Sequence, residues 1–336
     1  MHKKFRFFSL FSGIGAPEKA LDNLGISYEL VGFSEIDKYA TKSYCAVHSV
    51  DESMNLGDIT KIDESTVPND IDLITYGFPC QDISLGGKQK GLYNEDGTQT
   101  RSGLFFEALR IIEETQPRIA IAENVKNLTS KRHKKQFEIV LNSLENAGYN
   151  NYWKVLSSKD YGIPQKRERV FIVSIRKDVD DGKFTFPEPL PLELRLKDIL
   201  EDEVAASHYL GEKGLKLVEK HQMTRIDRTT KAADLTLIQL AHGFNSGCEM
   251  DADLFPTLTQ GSAMHWHTLL CEKMNGDLRV RKLTPKECWR LMGFDDEDFE
   301  KAEAVNSNTQ LYKQAGNSIV VPVLEALFIK LKPYLK

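Results

Sequence analysis

The sequence predicts an α/β fold, a mostly parallel sheet flanked by helices, with a smaller and less regular second domain. Three observations predict it. A glycine turn, "FSGIG", joins an aromatic-rich apolar run to a helical segment and then to a second run ending in an acid. Further apolar runs alternate with helical patterns as far as Ile175. The alternation then stops at "FPEPLPLELRLKDIL", where three prolines cluster.

The elements follow in order. Phe5–Phe11 is the first strand, and "APEKALDNLG" is a helix with Pro17 in its first turn and Gly25 at its stop. "ELVGFSE" is the second strand, with Glu35 at its end, which completes a βαβ unit of the nucleotide-binding kind. Ile71–Gly77, Arg118–Glu123 and Arg169–Ile175 are further strands, separated by the helical "GLFFEALRIIEET" and "KKQFEIVLNSLENAG". Alternation of this kind implies a parallel sheet covered on both faces. From Phe186 to Gly276 the pattern is irregular and reads as a second domain. Regularity resumes at "RKLTPKECWRLMGF" and ends in a helix where Val320, Val323, Leu324, Leu327, Phe328 and Leu331 share one face. That face needs a large apolar partner, expected to be the first sheet.

Bulk properties narrow the classes. The 336 residues are 41% hydrophobic and 28% charged, as in ordinary globular proteins, and no apolar run approaches the length of a membrane span. Two lysines precede the first apolar run, but Arg6 breaks it, so a strand is preferred to a leader peptide. Five widely spaced cysteines without a Cys-x-x-Cys pair argue against a disulfide framework or a metal site and suit a reducing cytoplasm. The net charge of −5 gives no hint of a nucleic-acid partner; "KRHKK" (Lys131–Lys135), "QKRER" (Gln165–Arg169) and "RIDRTTK" (Arg225–Lys231) either form a positive face or are three solvated surface patches, and charge alone favours the patches.

Four places carry chemistry. Gly13-x-Gly15 lacks the third glycine of the dinucleotide fingerprint and is either a bare turn or one that lets a ligand approach the backbone, with Glu35 placed to accept bonds from a ribose; Asp58 in "GDIT" is either an amino-group acceptor or a helix cap. In "GFPCQDIS", Pro79 fixes the strand exit immediately before Cys80. Ligand sites lie beyond the carboxyl ends of parallel strands, which favours a nucleophile over a buried filler there. Glu123 follows an apolar strand, either as a desolvated proton donor or as half of an ion pair. Arg167 and Arg169 alternate along an extended segment, where they either clamp an anion or a glutamate or stand exposed.

Eight blocks, "FSLFSGIG", "GFSEID", "GDIT", "GFPCQDIS", "AENVKNL", "YGIPQKRERVFIV", "RKLTPKECWRLMGF" and "YKQAGNSIVVPVLEAL", stand in an order that resembles the DNA cytosine-5 methyltransferases of bacterial and phage restriction-modification type. The resemblance implies a Rossmann-like sheet of the S-adenosylmethionine-dependent methyltransferase fold. It assigns residues 1–185, completed by 277–336, to the catalytic domain and 186–276 to target recognition. It implies that Cys80 adds to C6 of cytosine, that Glu123 contacts N3 and the exocyclic amine, that Arg167 supports the base near O2, and that Arg169 positions the cysteine loop. For S-adenosylmethionine it implies Phe11, Gly13, Gly15, Glu35, Ile36, Asp58, Ile59, Pro79, Asn317 and Ser318. Candidate substrate contacts are Ser84, Gln165, Thr257, Thr259, Gln260 and Ser262, with His265 and His267 as further base-edge readers; no metal is implied. The glycine-bearing segment after Cys80 resembles the family's closing loop, as base flipping requires.

The expected partner is double-stranded DNA, bound by a cytoplasmic monomer, with a cognate restriction endonuclease encoded nearby. Competing readings are a tRNA cytosine-5 methyltransferase, disfavoured by the lack of a Cys-Phe-Thr tripeptide, and a binding module that has lost catalysis. A nicotinamide-dependent dehydrogenase explains the glycine turn and Glu35 but not the Pro-Cys or Gln-x-Arg-x-Arg blocks.

Overall fold

The computed structural model describes residues 4–79, 92, 100–212, 215, 235–239, 248–250, 253–259, 268–274 and 277–335. They form two compact units, one of residues 1–157, 168–189 and 321–336, the other of 158–167 and 190–320. The second unit therefore takes in 277–320, which the sequence segments group with the first domain.

The first unit begins with strand β1 (Phe5–Leu10), helix α1 (Ala16–Asn23), strand β2 (Tyr28–Ser34) and helix α2 (Lys38–His48). It continues with β3 (Leu73–Tyr76), α3 (Phe105–Thr115), β4 (Ile119–Val125), α4 (Lys134–Asn146) and β5 (Tyr149–Ser157). Strand β6 (Gln165–Lys166) belongs to the second unit, and β7 (Glu168–Arg176) returns to the first. The six strands lie in the order β2-β1-β3-β4-β7-β5. β1, β2, β3 and β4 are mutually parallel, whereas β7 runs antiparallel to both β4 and β5. A mostly parallel sheet needs cover on both faces because its strands alternate two apolar surfaces. Phe8, Ile74, Ala120 and Ile172 share one core with Ile111 and Ile112 of α3 and Val140 and Leu144 of α4. Phe7, Leu73, Ile121 and Val173, of opposite parity, are equally buried.

The second unit holds β8 (Leu235–Gln239), β9 (Cys248–Met250), β10 (Phe255–Pro256), β11 (Thr268–Met274) and β12 (Asp277–Arg281). β12, β11, β8 and β9 form an antiparallel sheet, and β10 pairs with β6. Helices α5 (Pro285–Arg290), α6 (Asp296–Glu303) and α7 (Asn308–Asn317) follow. Thr284 and Glu287 form a reciprocal cap at the start of α5, and Glu287 also pairs with Arg281 at 2.8 Å, both side chains almost wholly buried. Much of the "RKLTPKECWRLMGF" block is thus scaffold: Trp289 is fully buried and donates Nε1–H to the Leu311 carbonyl at 3.1 Å.

Helix α8 (Val321–Leu331) rejoins the first unit. It buries Val323, Leu324, Leu327, Phe328 and Leu331, as the periodicity requires, and it packs against α1, with Asn23 donating to Glu325 at 2.6 Å. No helix among the described residues is long and apolar enough to cross a membrane.

Candidate active site

Because β1 to β4 are parallel, their carboxyl ends share one edge of the sheet, and the antiparallel β7 brings its amino end to the same edge. The predicted residues of the first unit gather there.

The glycine turn leaves β1 through Phe11, whose φ of 52° is uncommon for an aromatic residue and marks backbone strain at the turn. Gly13 and Gly15 follow in the same left-handed region. A side chain at position 13 would meet nothing within 4 Å. Glu35, just past β2, accepts the Gly13 N–H on Oε2 and the Asp37 N–H on Oε1, both at 2.8 Å, and so ties the turn to the start of α2. Burial raises the Glu35 pKa, and those two backbone donors oppose the rise. Asn55 crosslinks the region by accepting from the Glu35 and Gly57 N–H groups and donating to the Glu35 carbonyl. Ile36 is 75% exposed beside this acid. Asp58 accepts from the Thr60 hydroxyl and N–H, which lower its pKa; it caps a short helical turn and keeps a partly exposed carboxylate. The Ile59 side chain is buried in the core, and its carbonyl accepts from Arg110.

Glu123 and Arg169 meet at 3.0 Å, with only 14% and 16% of their side chains exposed. Arg169 stands opposite Val125 in the β4–β7 ladder, so the register itself delivers the guanidinium to the carboxylate. A side chain at Gly77 would stand 3.8 Å from Glu123 Oε2, which puts this ion pair beside the exit of β3. Asn124 also touches that exit: its amide donates to the Phe78 carbonyl at 3.0 Å, and its Oδ1 accepts from Val125 N–H. Sequence reasoning passed over Asn124, although its parity with Ala120 and Ala122 marks it as core-facing. Pro79 ends the described part of this exit. Cys80 lies outside the described residues, as do Ser84, Gln260, Ser262, His265 and His267.

Arg167 and Gln165 differ from expectation. Arg167 is 4% exposed, and its guanidinium donates to the carbonyls of Leu258 (2.5 Å), Ser318 (2.7 Å) and Gly316 (3.2 Å). Gln165 is fully buried, accepting the Leu258 N–H and donating to the Leu291 carbonyl, both at 2.8 Å. Thr257 donates its hydroxyl to the Lys166 carbonyl at 2.6 Å, whereas Thr259 is exposed. Gln165 and Arg167 therefore brace the second unit internally through buried bonds to backbone groups, and Thr257 adds a more exposed bond to Lys166. Asn317 ends α7 and Ser318 caps it, also in the second unit.

Among the described residues no cluster of three His, Cys, Asp or Glu side chains is arranged to hold a metal ion. Glu18 is a further acid that sequence reasoning missed. It is 1% exposed in the first turn of α1, with Tyr44 donating to Oε1 at 2.7 Å. Its spacing from the buried Leu21 was the available signal.

The sequence matches the C-5 cytosine-specific DNA methylases over residues 5–333. It is 35% identical to an orphan methyltransferase, M.SPBetaI, of Bacillus phage SPbeta, covering 98% of this chain and 97% of the relative. It is also 35% identical to the type II methyltransferase M.HhaI of Haemophilus parahaemolyticus, covering 98% and 96%. Among solved structures, an Entamoeba histolytica methyltransferase, EhMeth, superposes with a TM-score of 0.75 at 17% identity over the whole of both chains, a likeness of fold. The strand order, the edge that gathers the predicted residues and the family match agree: this chain belongs to the C-5 cytosine-specific DNA methylases.

Proposed function

We propose that the protein transfers the methyl group of S-adenosylmethionine to C5 of a cytosine flipped out of a specific sequence in duplex DNA. The observation that carries this reading is the Glu123–Arg169 pair set beside the exit of β3.

The glycine turn fits the methyl donor. The open space at Gly13 admits a ligand against the backbone, Glu35 keeps acceptor capacity beyond its two backbone bonds, and Phe11 and Ile36 offer apolar surface. Asp58 is a carboxylate acceptor for an amino group, and Pro79 and the Ile59 backbone are further candidate contacts. S-adenosylmethionine, when bound, supplies an electrophilic methyl group. The Cys80 thiolate adds to C6, and the displaced π electrons make C5 nucleophilic. Glu123 would donate a proton to N3, where negative charge develops as the thiolate adds, and accept a bond from the exocyclic amine, with Arg169 holding the carboxyl group in place. Once C5 carried a methyl group, passing its proton to solvent water would let the C5–H electron pair re-form the C5=C6 bond and expel the Cys80 thiolate. Arg169 takes the base-side role, since Arg167 is committed to backbone carbonyls.

Residues 1–185 with 277–336 are assigned to catalysis and 186–276 to target recognition. Lys131, Arg132, Lys134 and Lys135 are exposed after β4 and suit phosphate contacts. The relative from phage SPbeta is described as an orphan methyltransferase and that from Haemophilus as a type II methyltransferase.

Purified protein with methyl-tritiated S-adenosylmethionine is expected to label duplex DNA at cytosine C5, and Cys80→Ser to abolish the transfer while still binding cofactor. Transfer to tRNA but not to DNA would overturn the reading.

A further inference from the structure

We propose that His48 is a positioning residue that pre-forms the cofactor turn from beneath; this rests on the reading that the turn at Gly13–Gly15 holds the methyl donor. His48 is the last residue of α2, and its Nε2 lies 3.0 Å from the carbonyl of Ile14, in the middle of that turn. A carbonyl only accepts, so Nε2 carries the hydrogen. The other end of the same peptide unit is also held, because Gly15 N–H donates to the Ser12 carbonyl at 2.9 Å. With both ends bonded, the Ile14–Gly15 peptide plane cannot flip, although two glycines flank Ile14.

The two glycines then have different causes. A β-carbon at Gly13 would meet open space, whereas one at Gly15 would stand 2.1 Å from His48 Nε2 and 2.6 Å from Cδ2. Gly15 is glycine because the imidazole fills its side-chain volume from within the protein, and because its φ is 78°. Gly13 is the residue whose missing side chain leaves room for a ligand. The imidazole is itself oriented by Tyr44, one turn earlier, with ring centroids 4.9 Å apart. Tyr44 stacks on Phe33 of β2 at 4.0 Å and donates its hydroxyl to Glu18. A chain of contacts from β2 and α1 through α2 thus fixes the turn before any ligand arrives, and a pre-formed turn spares a ligand the ordering cost.

The test is equilibrium binding of S-adenosylhomocysteine by calorimetry, with steady-state methylation alongside. His48→Phe keeps a ring against Tyr44 but loses the donor; His48→Gln restores an N–H near the Nε2 position. His48→Phe is expected to weaken binding roughly tenfold and raise KM for the methyl donor more than it lowers kcat, with an unliganded melting temperature a few degrees below wild type, since it leaves the Ile14 carbonyl without its donor. His48→Gln is expected to recover most of the affinity. Wild-type affinity in His48→Phe, or equal weakening in both variants, would overturn the proposal. Should His48→Phe not fold, Gly15→Ala decides: its penalty on binding is expected to shrink in a His48→Ala background, and an equal penalty in both backgrounds overturns the proposal. Wild type failing to bind S-adenosylhomocysteine at all would instead sink the cofactor reading, before any variant is made.

Discussion

Replacing Glu18 with glutamine is expected to stabilise the protein above neutral pH and to change little in acid. Glu18 sits under the glycine turn, and burial lifts its pKa from 4.5 to about 7 against the opposing bond from Tyr44. A bond from its own backbone and the nearby Ser9 hydroxyl also lower it, while Asp22 adds to the rise. Neither Glu18 Oε2 nor Ser9 Oγ makes a hydrogen bond of ordinary geometry, so a proton on Oε2 would satisfy both. In the unfolded chain the group ionises near 4.5; in the folded chain it holds its proton to about 7. Between those values the native state binds more protons, so stability is fully present below the lower value and is lost as pH rises through the upper one. At about 1.36 kcal/mol per pH unit, the loss above neutrality is on the order of 3 kcal/mol. Glutamine cannot ionise and escapes it. Melting curves of wild type and Glu18→Gln at about pH 5 and about pH 8.5 should differ by a gap that widens in base, at about 2–4 °C per kcal/mol for a domain of this size. The same difference in melting temperature at both pH values would refute the argument and require a charge partner for Glu18.

Three further outcomes follow from the geometry. Arg167→Met strips three buried carbonyls of a charged donor and should destabilise the second unit by about 3–5 kcal/mol, read by denaturant titration; a loss below about 1 kcal/mol would disprove the brace. Glu123→Gln should slow methylation by about 10²–10⁴-fold, and adding Arg169→Met should cost little more, because the pair acts as one unit; multiplicative losses would mean independent roles. Asn124→Ala frees the Phe78 carbonyl and should cost about 1–3 kcal/mol of stability. It should also slow covalent trapping by 5-fluorocytosine DNA while sparing S-adenosylhomocysteine affinity, and unchanged trapping would exclude a role at the β3 exit.

Most of the sheet was legible because buried parallel strands are apolar on both faces, as in "DLITY" and "RIAIAE". β5 was not. It is an edge strand, and Asn150, Lys154 and the half-exposed Trp153 interrupt its apolar pattern, so neither alternation nor an apolar run marks it. Glu35 and Glu123 were legible because an acid directly after an apolar run has one place to go in a parallel sheet, its carboxyl-end edge. For Glu18 and Asn124 the spacing signals burial but not the partner, and for His48 it signals neither, since each is held by a group distant in sequence. Tyr44 covers Glu18, Phe78 occupies Asn124, and the turn at Ile14 claims His48.

Gln165, Arg167 and Arg169 show why a periodicity argument fails at a junction. In one continuous strand, residues two apart share a face, so all three would be expected to work together. The chain instead pairs Gln165 and Lys166 with Phe255 and Pro256, then starts a separate ladder at Glu168. Arg167 is the residue between the two ladders. Its N–H bonds to the Ser158 hydroxyl at 3.2 Å, and its side chain turns to carbonyls of the second unit, while Arg169 follows the register of β7 to Glu123. Two arginines that look interchangeable in "QKRER" are separated by one change of hydrogen-bonding partner. Swapping in lysine should reveal the difference. Arg167→Lys loses the planar fork that serves three acceptors and should lower stability more than turnover, whereas Arg169→Lys keeps a cation beside Glu123 and should lower turnover more than stability.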